Sequence, residues 1–208
     1  MRKSDGKKCL KNVVDMDKKG EVFRPKIVIT TSRRKSNLTN TFIKTLARAL
    51  GVPIIRRGSS NLDEIAYNVM NYGYEGFIVV YTMRGNPSAL TFFKMTDEGY
   101  FRLFGRIFIL GVKINRLFKG AFDGIKLIYE GNEEYSKEAY EFLREYFLPW
   151  KVQNQEKNFC KISIKDLEVF RENWLKESEK FRPAEIIFHS NRGVEILRIK
   201  VHHTWKAK

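Results

Sequence analysis

Five arginines in this chain stand where they could hold phosphate groups. Arg33 and Arg34 follow the apolar, β-branched run Lys26–Thr31, Arg56 and Arg57 follow Val52–Ile55, and Arg84 follows Phe77–Thr82. Short runs of this kind are the signature of buried strands. Thr30, Thr31 and Ser32 precede the first arginine pair, and Ser36 and Asn37 follow it. A guanidinium presents a planar fork of donors that matches phosphate oxygens. Hydroxyls and the backbone amides of a helix start add further donors. From Val22 to Leu62 there are nine basic residues and no acidic one, whereas surface segments ordinarily mix the two signs.

A second basic set, Arg102, Arg106, Lys113, Arg116 and Lys119, is interleaved with Tyr100, Phe101, Phe104, Phe108 and Phe118. No acid falls between Gly99 and Phe122. Cations alternating with aromatics can stack unpaired bases while neutralising phosphates. At strand spacing the same rings can also form one buried face, and Phe104 and Phe108 are expected to pack in the core. At Asn86 and Pro87, hydrogen bonding to a base edge and a purely structural turn are equally open.

Other chemistries lack their residues. No GxxxxGK[ST] phosphate loop, HExxH or CxxC occurs. His202 and His203 are adjacent, so on a strand they face opposite ways and do not share a metal. Asp15 and Asp17 resemble the opening of a calcium loop, but Lys19 and Lys26 stand where oxygen ligands belong. The strand-end region carries no acidic cluster to hold nuclease metals. These absences favour a binding protein over an enzyme, with no catalytic residue, cofactor or metal.

The composition agrees. The chain has 208 residues, 43% hydrophobic and 30% charged, with a net charge of +15. That charge predicts attraction to polyanions. Apolar runs are far too short to span a bilayer and the first twenty residues have no apolar centre, so no membrane or secretory segment is expected. Cys9 and Cys160 read as unpaired thiols of a reducing, cytoplasmic compartment. The presence of only two glutamines, Gln153 and Gln155, suits a thermophile.

The elements that must position the arginines follow from periodicity. Residues 1–22 read as a flexible lead and 23–205 as one domain. In its first half, about 23–122, a helix capped by Asn37 carries Leu38, Phe42, Leu46 and Leu50 inward and stops at Gly51. A second, capped by Asn61 with Glu64 three residues on, buries Ile65, Ala66 and Val69 and stops at Gly73. After the turn Gly85-Asn86-Pro87 comes a strand, Ala89–Met95, and Tyr100–Val112 reads as one or two exposed strands. The second half, about 123–205, repeats the order. It has strands at Gly124–Tyr129, Phe159–Ile164, Ala184–His189 and Val194–Val201. Its helices are Glu133–Phe147, with Tyr135, Ala139, Phe142, Leu143 and Tyr146 inward, and Asp166–Lys180. The fold class is therefore α/β, with pseudo-duplicated β-α-β-α-β-β halves. Short β-α-β spacing makes the arginine-bearing strands parallel, which gathers their ends at one edge, the place where open α/β sheets bind ligands. The Glu-rich first helix of the second half (Glu133, Glu134, Glu138, Glu141, Glu145) would repel RNA and so face solvent, or else meet a basic protein partner.

Ile29-Thr30-Thr31-Ser32-Arg33-Arg34, then Ile54-Ile55-Arg56-Arg57-Gly58, then Arg84-Gly85-Asn86-Pro87 resemble, in that order, three motifs of the Brix domain family. The match covers about residues 24–122. The family's C-terminal Gly-Pro-Arg element has only Arg182-Pro183 as its counterpart. The resemblance implies halves similar to the anticodon-binding domain of class II aminoacyl-tRNA synthetases. It also implies a monomeric, archaeal ribosome biogenesis factor acting in pre-ribosomal RNA processing and subunit assembly. The partners it implies are a ribosomal RNA precursor and other assembly factors or ribosomal proteins. Carried over by position, the RNA-binding residues are Thr31, Ser32, Arg33, Arg34, Arg56, Arg57, Arg84 and Asn86, to which the basic-aromatic set adds Arg102 and Arg106. An RNA-modifying enzyme and a tRNA-binding accessory module are the competing readings.

Overall fold

The computed structural model describes residues 20–33, 36–153, 158–167 and 184–207. Strand β1 (Glu21–Phe23) begins inside the stretch expected to be a lead, and β2 (Ile27–Thr31) is buried at every position. Helix α1 (Asn37–Leu50) buries Phe42, Ile43, Leu46 and Leu50, the spacing of a single helical face. Its cap is Ser36 rather than Asn37, with the hydroxyl accepting from the Thr39 amide at 3.0 Å. Gly51 ends it at φ 68°, a left-handed conformation in which its N–H reaches back to the last-turn carbonyls.

Val52–Ile55 does run parallel beside β2, but as a single bridge between Ile54 and Ile29 and not as a strand. Ile29 N–H donates to Pro53 and Ile55 N–H donates to Ile29. Pro53 has no N–H of its own, so the ladder does not extend back towards Ile27. Helix α2 (Leu62–Asn71) is capped by Asn61, whose side chain accepts from the Glu64 amide at 2.8 Å, and it buries Ile65 and Val69.

Strands β3 (Gly76–Met83) and β4 (Asn86–Met95) form a hairpin whose two turn residues, Arg84 (φ 50°) and Gly85 (φ 83°), are both left-handed. That pair of torsions matches the twist of the flanking strands. The fourth strand therefore starts at Asn86, three residues earlier than the pattern indicated. Strand β5 (Phe101–Ile114) is one element, paired on its two edges by β4 and β9 and buried along its length only at Gly105 and Ile107.

The second half supplies β6 (Gly124–Tyr129), α3 (Glu134–Phe147), a short 3₁₀ turn (Leu148–Trp150), β7 (Phe159–Asp166), β8 (Ala184–His189) and β9 (Glu195–Lys206). Tyr135 is 38% exposed, not inward. The buried residue of that turn is Ser136, whose hydroxyl donates to the Asp166 carboxylate. Asp166 also accepts from the amides of Asn132 and Glu133, so a carboxylate at the end of β7 caps α3 from outside. The helix expected over Asp166–Lys180 falls mostly outside the described residues.

Among the described residues, nine strands join one sheet in the order β1-β6-β7-β8-β9-β5-β4-β3-β2. Its two edge strands, β1 and β2, are separated in the chain only by Arg24–Lys26. Laid flat, nine strands at about 4.8 Å spacing would set the edges about 38 Å apart. Four Cα steps span at most ~14 Å. The sheet must therefore curl. Helices α1 and α3 lie inside the curl, where α1 meets β2, β4, β6 and β9 together. Helix α2 packs on the outer face, over Val28, Phe77 and Val79.

Candidate nucleic-acid interface

Strands β2 and β3 are parallel, with Thr31 opposite Val80, and the Ser32 amide donates to the Val80 carbonyl at 2.9 Å. Thr31 is buried, Ser32 half-buried and Arg33 exposed just beyond them. Arg57 lies across this strand end. Its Nε donates to the Ser60 carbonyl at 3.0 Å and its Nη1 to the Thr31 carbonyl at 3.4 Å. Arg57 thus fixes the 56–60 loop against β2, and Arg56 next to it in the chain is exposed.

The hairpin is tied in from the other side. Ser36 Oγ donates to the Gly85 carbonyl at 2.5 Å, and the Thr39 and Thr82 hydroxyls meet at 3.0 Å. Arg84 and Asn86 are both exposed there. Three loops from separate parts of the chain therefore carry Arg33, Arg56 and Arg84 at the carboxyl ends of β2, the Val52–Ile55 segment and β3, and the last of these loops is tied to the first turn of α1. Exposed guanidiniums gathered at strand ends attract anions for both charge and hydrogen-bond reasons. Asp63 and Glu64 lie at the same end, in the first turn of α2, where the helix dipole favours them. The acid-free run read from the sequence stops just short of them.

The other expected contacts lie apart. Arg34 is outside the described residues. Arg102 pairs with Lys94 at the opposite end of β4, where it lines a cleft of about 450 Å³ with Lys94, Glu98, Phe104, Glu145 and Lys206. Burial lowers the Lys94 ammonium there and Lys206 lowers it further, while Glu145 works the other way. Arg106 lies on the outer face, half-buried, with its Nε on the Thr91 hydroxyl at 2.9 Å. Phe104 packs inward on Phe142 and Tyr146, as expected. Phe108 does not, and stacks on His203 instead.

Sequence reasoning missed Ser36 as the joint between α1 and the hairpin. A serine before an apolar-periodic run was the available signal. Among the described residues there is no group of three or more His, Cys, Asp and Glu that could hold a metal ion, and no helix long and apolar enough to cross a membrane.

The architecture has solved counterparts. A probable ribosomal biogenesis protein from Aeropyrum pernix superposes with a TM-score of 0.65 at 18% identity, covering 86% of this chain and 96% of that one. Mil, an archaeal Imp4-like protein, gives 0.56 at 18% identity, covering 86% and 99%. In sequence, a probable Brix domain-containing ribosomal biogenesis protein of Pyrococcus horikoshii is 30% identical over 105 residues, 50% of this chain and 46% of that protein. Its counterpart in Methanococcus maripaludis is 27% identical over 134 residues, 64% of this chain and 76% of that protein. The relatives are archaeal Brix-domain proteins. The chain spans about half the length of the Pyrococcus horikoshii relative, and no family model matches it. The fold is the mixed α/β architecture with a curled sheet that these two solved structures share.

Proposed function

We propose that this protein is an RNA-binding, non-catalytic factor of ribosome assembly that grips pre-ribosomal RNA through the strand-end edge. The placement of exposed Arg33, Arg56 and Arg84 at the ends of β2, the Val52–Ile55 segment and β3, with the last two loops fixed by Arg57 and Ser36, carries the reading. Such an edge offers cations and donors to phosphates at fixed positions. The names of the relatives, and the net charge of +15, support it. Arg34, Ser32 and Asn86 complete the contact set in this proposal, and Arg102 and Arg106 extend it to other parts of the surface. The protein acts as a cytoplasmic monomer among other assembly factors.

We further read the domain as two related halves, 23–122 and 123–205. Outward from the parallel pair, β2-β3-β4-β5 and β6-β7-β8-β9 share one series of pairings: parallel, antiparallel, antiparallel. In this scheme β7 corresponds to β3 and not to Val52–Ile55. The kinship of each half to the anticodon-binding domain belongs to the same proposal.

Binding of a ribosomal RNA fragment measured against salt tests the function. Five to eight phosphate contacts give a slope of log K on log salt of roughly −4 to −6. A slope near −1 would overturn the edge.

A further inference from the structure

We propose that the outer face of β3, β4, β5 and β9 is a stacking platform for unpaired RNA bases; this rests on the RNA-binding reading and specifies the kind of RNA that completes it. Two cross-strand rows build the platform. Tyr81, Ala89, Phe108 and His203 lie opposite one another, and so do Val79, Thr91, Arg106 and Trp205. Side chains two apart on a strand share a face, and Val79 marks this one as the outer face, since it packs under α2. The footprint of α2 ends at Tyr81.

Beyond it the surface is aromatic and cationic. Phe108 and His203 stack with centroids 4.2 Å apart and planes 20° from parallel. The Arg106 guanidinium is 5.4 Å from the Tyr81 ring and 5.6 Å from the Phe108 ring, and Thr91 holds its Nε. Trp205, the cross-strand partner of Arg106, is 47% exposed. An indole of that size left at the surface beside a fixed guanidinium offers a flat π-face and a positive charge side by side. Stacked bases and their phosphates use that pair of features.

Two observations select RNA over a protein occupant. Neither row contains an acidic side chain, and Lys200, the next outward position of β9, is exposed. The face also runs without a break into the strand-end edge. Met83, one outward step from Tyr81, is 65% exposed and adjoins Arg84. A strand whose phosphates lie on Arg33 and Arg84 is thereby led with its bases over Tyr81 towards Trp205.

The test uses the full chain and two probes of equal charge, a short oligoadenylate and a blunt RNA duplex. Oligoadenylate should quench tryptophan emission. Trp205→Ala should abolish most of that quenching and weaken oligoadenylate binding about 10-fold while leaving duplex binding unchanged. Trp205→Phe, which keeps a ring, should restore most of the affinity, and Phe108→Ala should repeat the loss. Arg33→Ala with Arg84→Ala should weaken both probes. Unchanged oligoadenylate affinity in Trp205→Ala overturns the platform and leaves the edge standing, and that is also the result expected if a protein occupies this face. Failure of the unaltered protein to bind either probe overturns the platform together with the RNA-binding reading.

Discussion

Ser36 Oγ donates to the Gly85 carbonyl at 2.5 Å and accepts from the Thr39 amide at 3.0 Å, so one hydroxyl both caps α1 and anchors the hairpin that carries Arg84. Ser36→Ala removes both bonds. Loss of a cap costs about 1 kcal/mol, and the hairpin carbonyl loses its donor as well. In a chain of this size a Tm lower by about 3–6 °C is expected by calorimetry. RNA affinity should fall severalfold with it, because Arg84 is no longer held against the helix start. A Tm equal to that of the unaltered protein would mean that the joint is not formed.

The junction between the halves of the sheet is equally open to test. Gly105 sits on β5 opposite Lys206, and a Cβ there would meet the Phe142 ring at 2.6 Å and, closer still, the Trp205 carbonyl. Backbone on one side and a packed ring on the other leave little room for relief. Gly105→Ala should cost about 1–3 kcal/mol through overpacking, read as a lower denaturant midpoint with an unchanged slope. Gly111→Ala, on the same strand with open space around its Cβ, should be much milder.

Glu130 gives the fold a defined acid limb. Burial works to raise its carboxyl, but hydrogen bonds and charge from Lys161 and Lys165, each 2.9 Å away, outweigh it and hold the group at about 2 instead of its usual 4.5. A carboxyl depressed in the folded state binds its proton more readily in the unfolded chain. Its contribution is therefore complete above pH 5 and is lost as the pH falls from about 5 to 2. Solvent at this rim screens the pair, so about 1 kcal/mol is expected. Glu130→Gln should lower stability at pH 7 by that amount, and its stability curve should meet that of the unaltered protein near pH 2. Curves that stay parallel across this range would show the pairing to be absent.

The strands that carry the arginines were legible because each is a short β-branched run ended by polar residues, as at Ile27–Thr31 and Gly76–Met83. The caps were nearly so. Asn61 was found, and the α1 cap was missed by one residue because Ser36 and Asn37 are both good caps and only the Gly85 contact separates them. Topology was harder to read. Val52–Ile55 has strand composition, yet Pro53 has no N–H to give β2, and the segment stays a single bridge on the edge of β2 opposite β3. Strand β5 has the alternating Arg and Phe residues of a half-solvated strand and is for the most part only partly buried; what the pattern hides is that both its edges are paired. Its partner β9 lies some ninety residues further on, a pairing that no local pattern encodes. Arg57 has the same residue type as Arg56, but its guanidinium is spent on the Ser60 and Thr31 carbonyls.

That last contrast sharpens the separation of affinity from stability. Arg33 is exposed at the end of β2, and Arg34 follows it in the sequence. Changing both to Ala should weaken RNA binding by about 10- to 100-fold, each charged contact being worth roughly 1–3 kcal/mol. The Tm should hardly move, since exposed side chains beyond a strand end contribute little to packing. Arg57→Ala should do the reverse and lower the Tm more than the affinity. The control must be chosen on the acidic helix α3 with the same care. Arg144 is unsuitable, because its Nε lies 2.7 Å from Glu21 and helps to hold β1 on the sheet, so its loss would register as instability. Lys137 is exposed on α3, and Lys137→Ala should change neither quantity. If Lys137→Ala weakened RNA binding as much as the Arg33/Arg34 pair does, net charge and not a localised edge would be driving the association. A large fall in Tm for the Arg33/Arg34 variant would instead make those residues part of the scaffold.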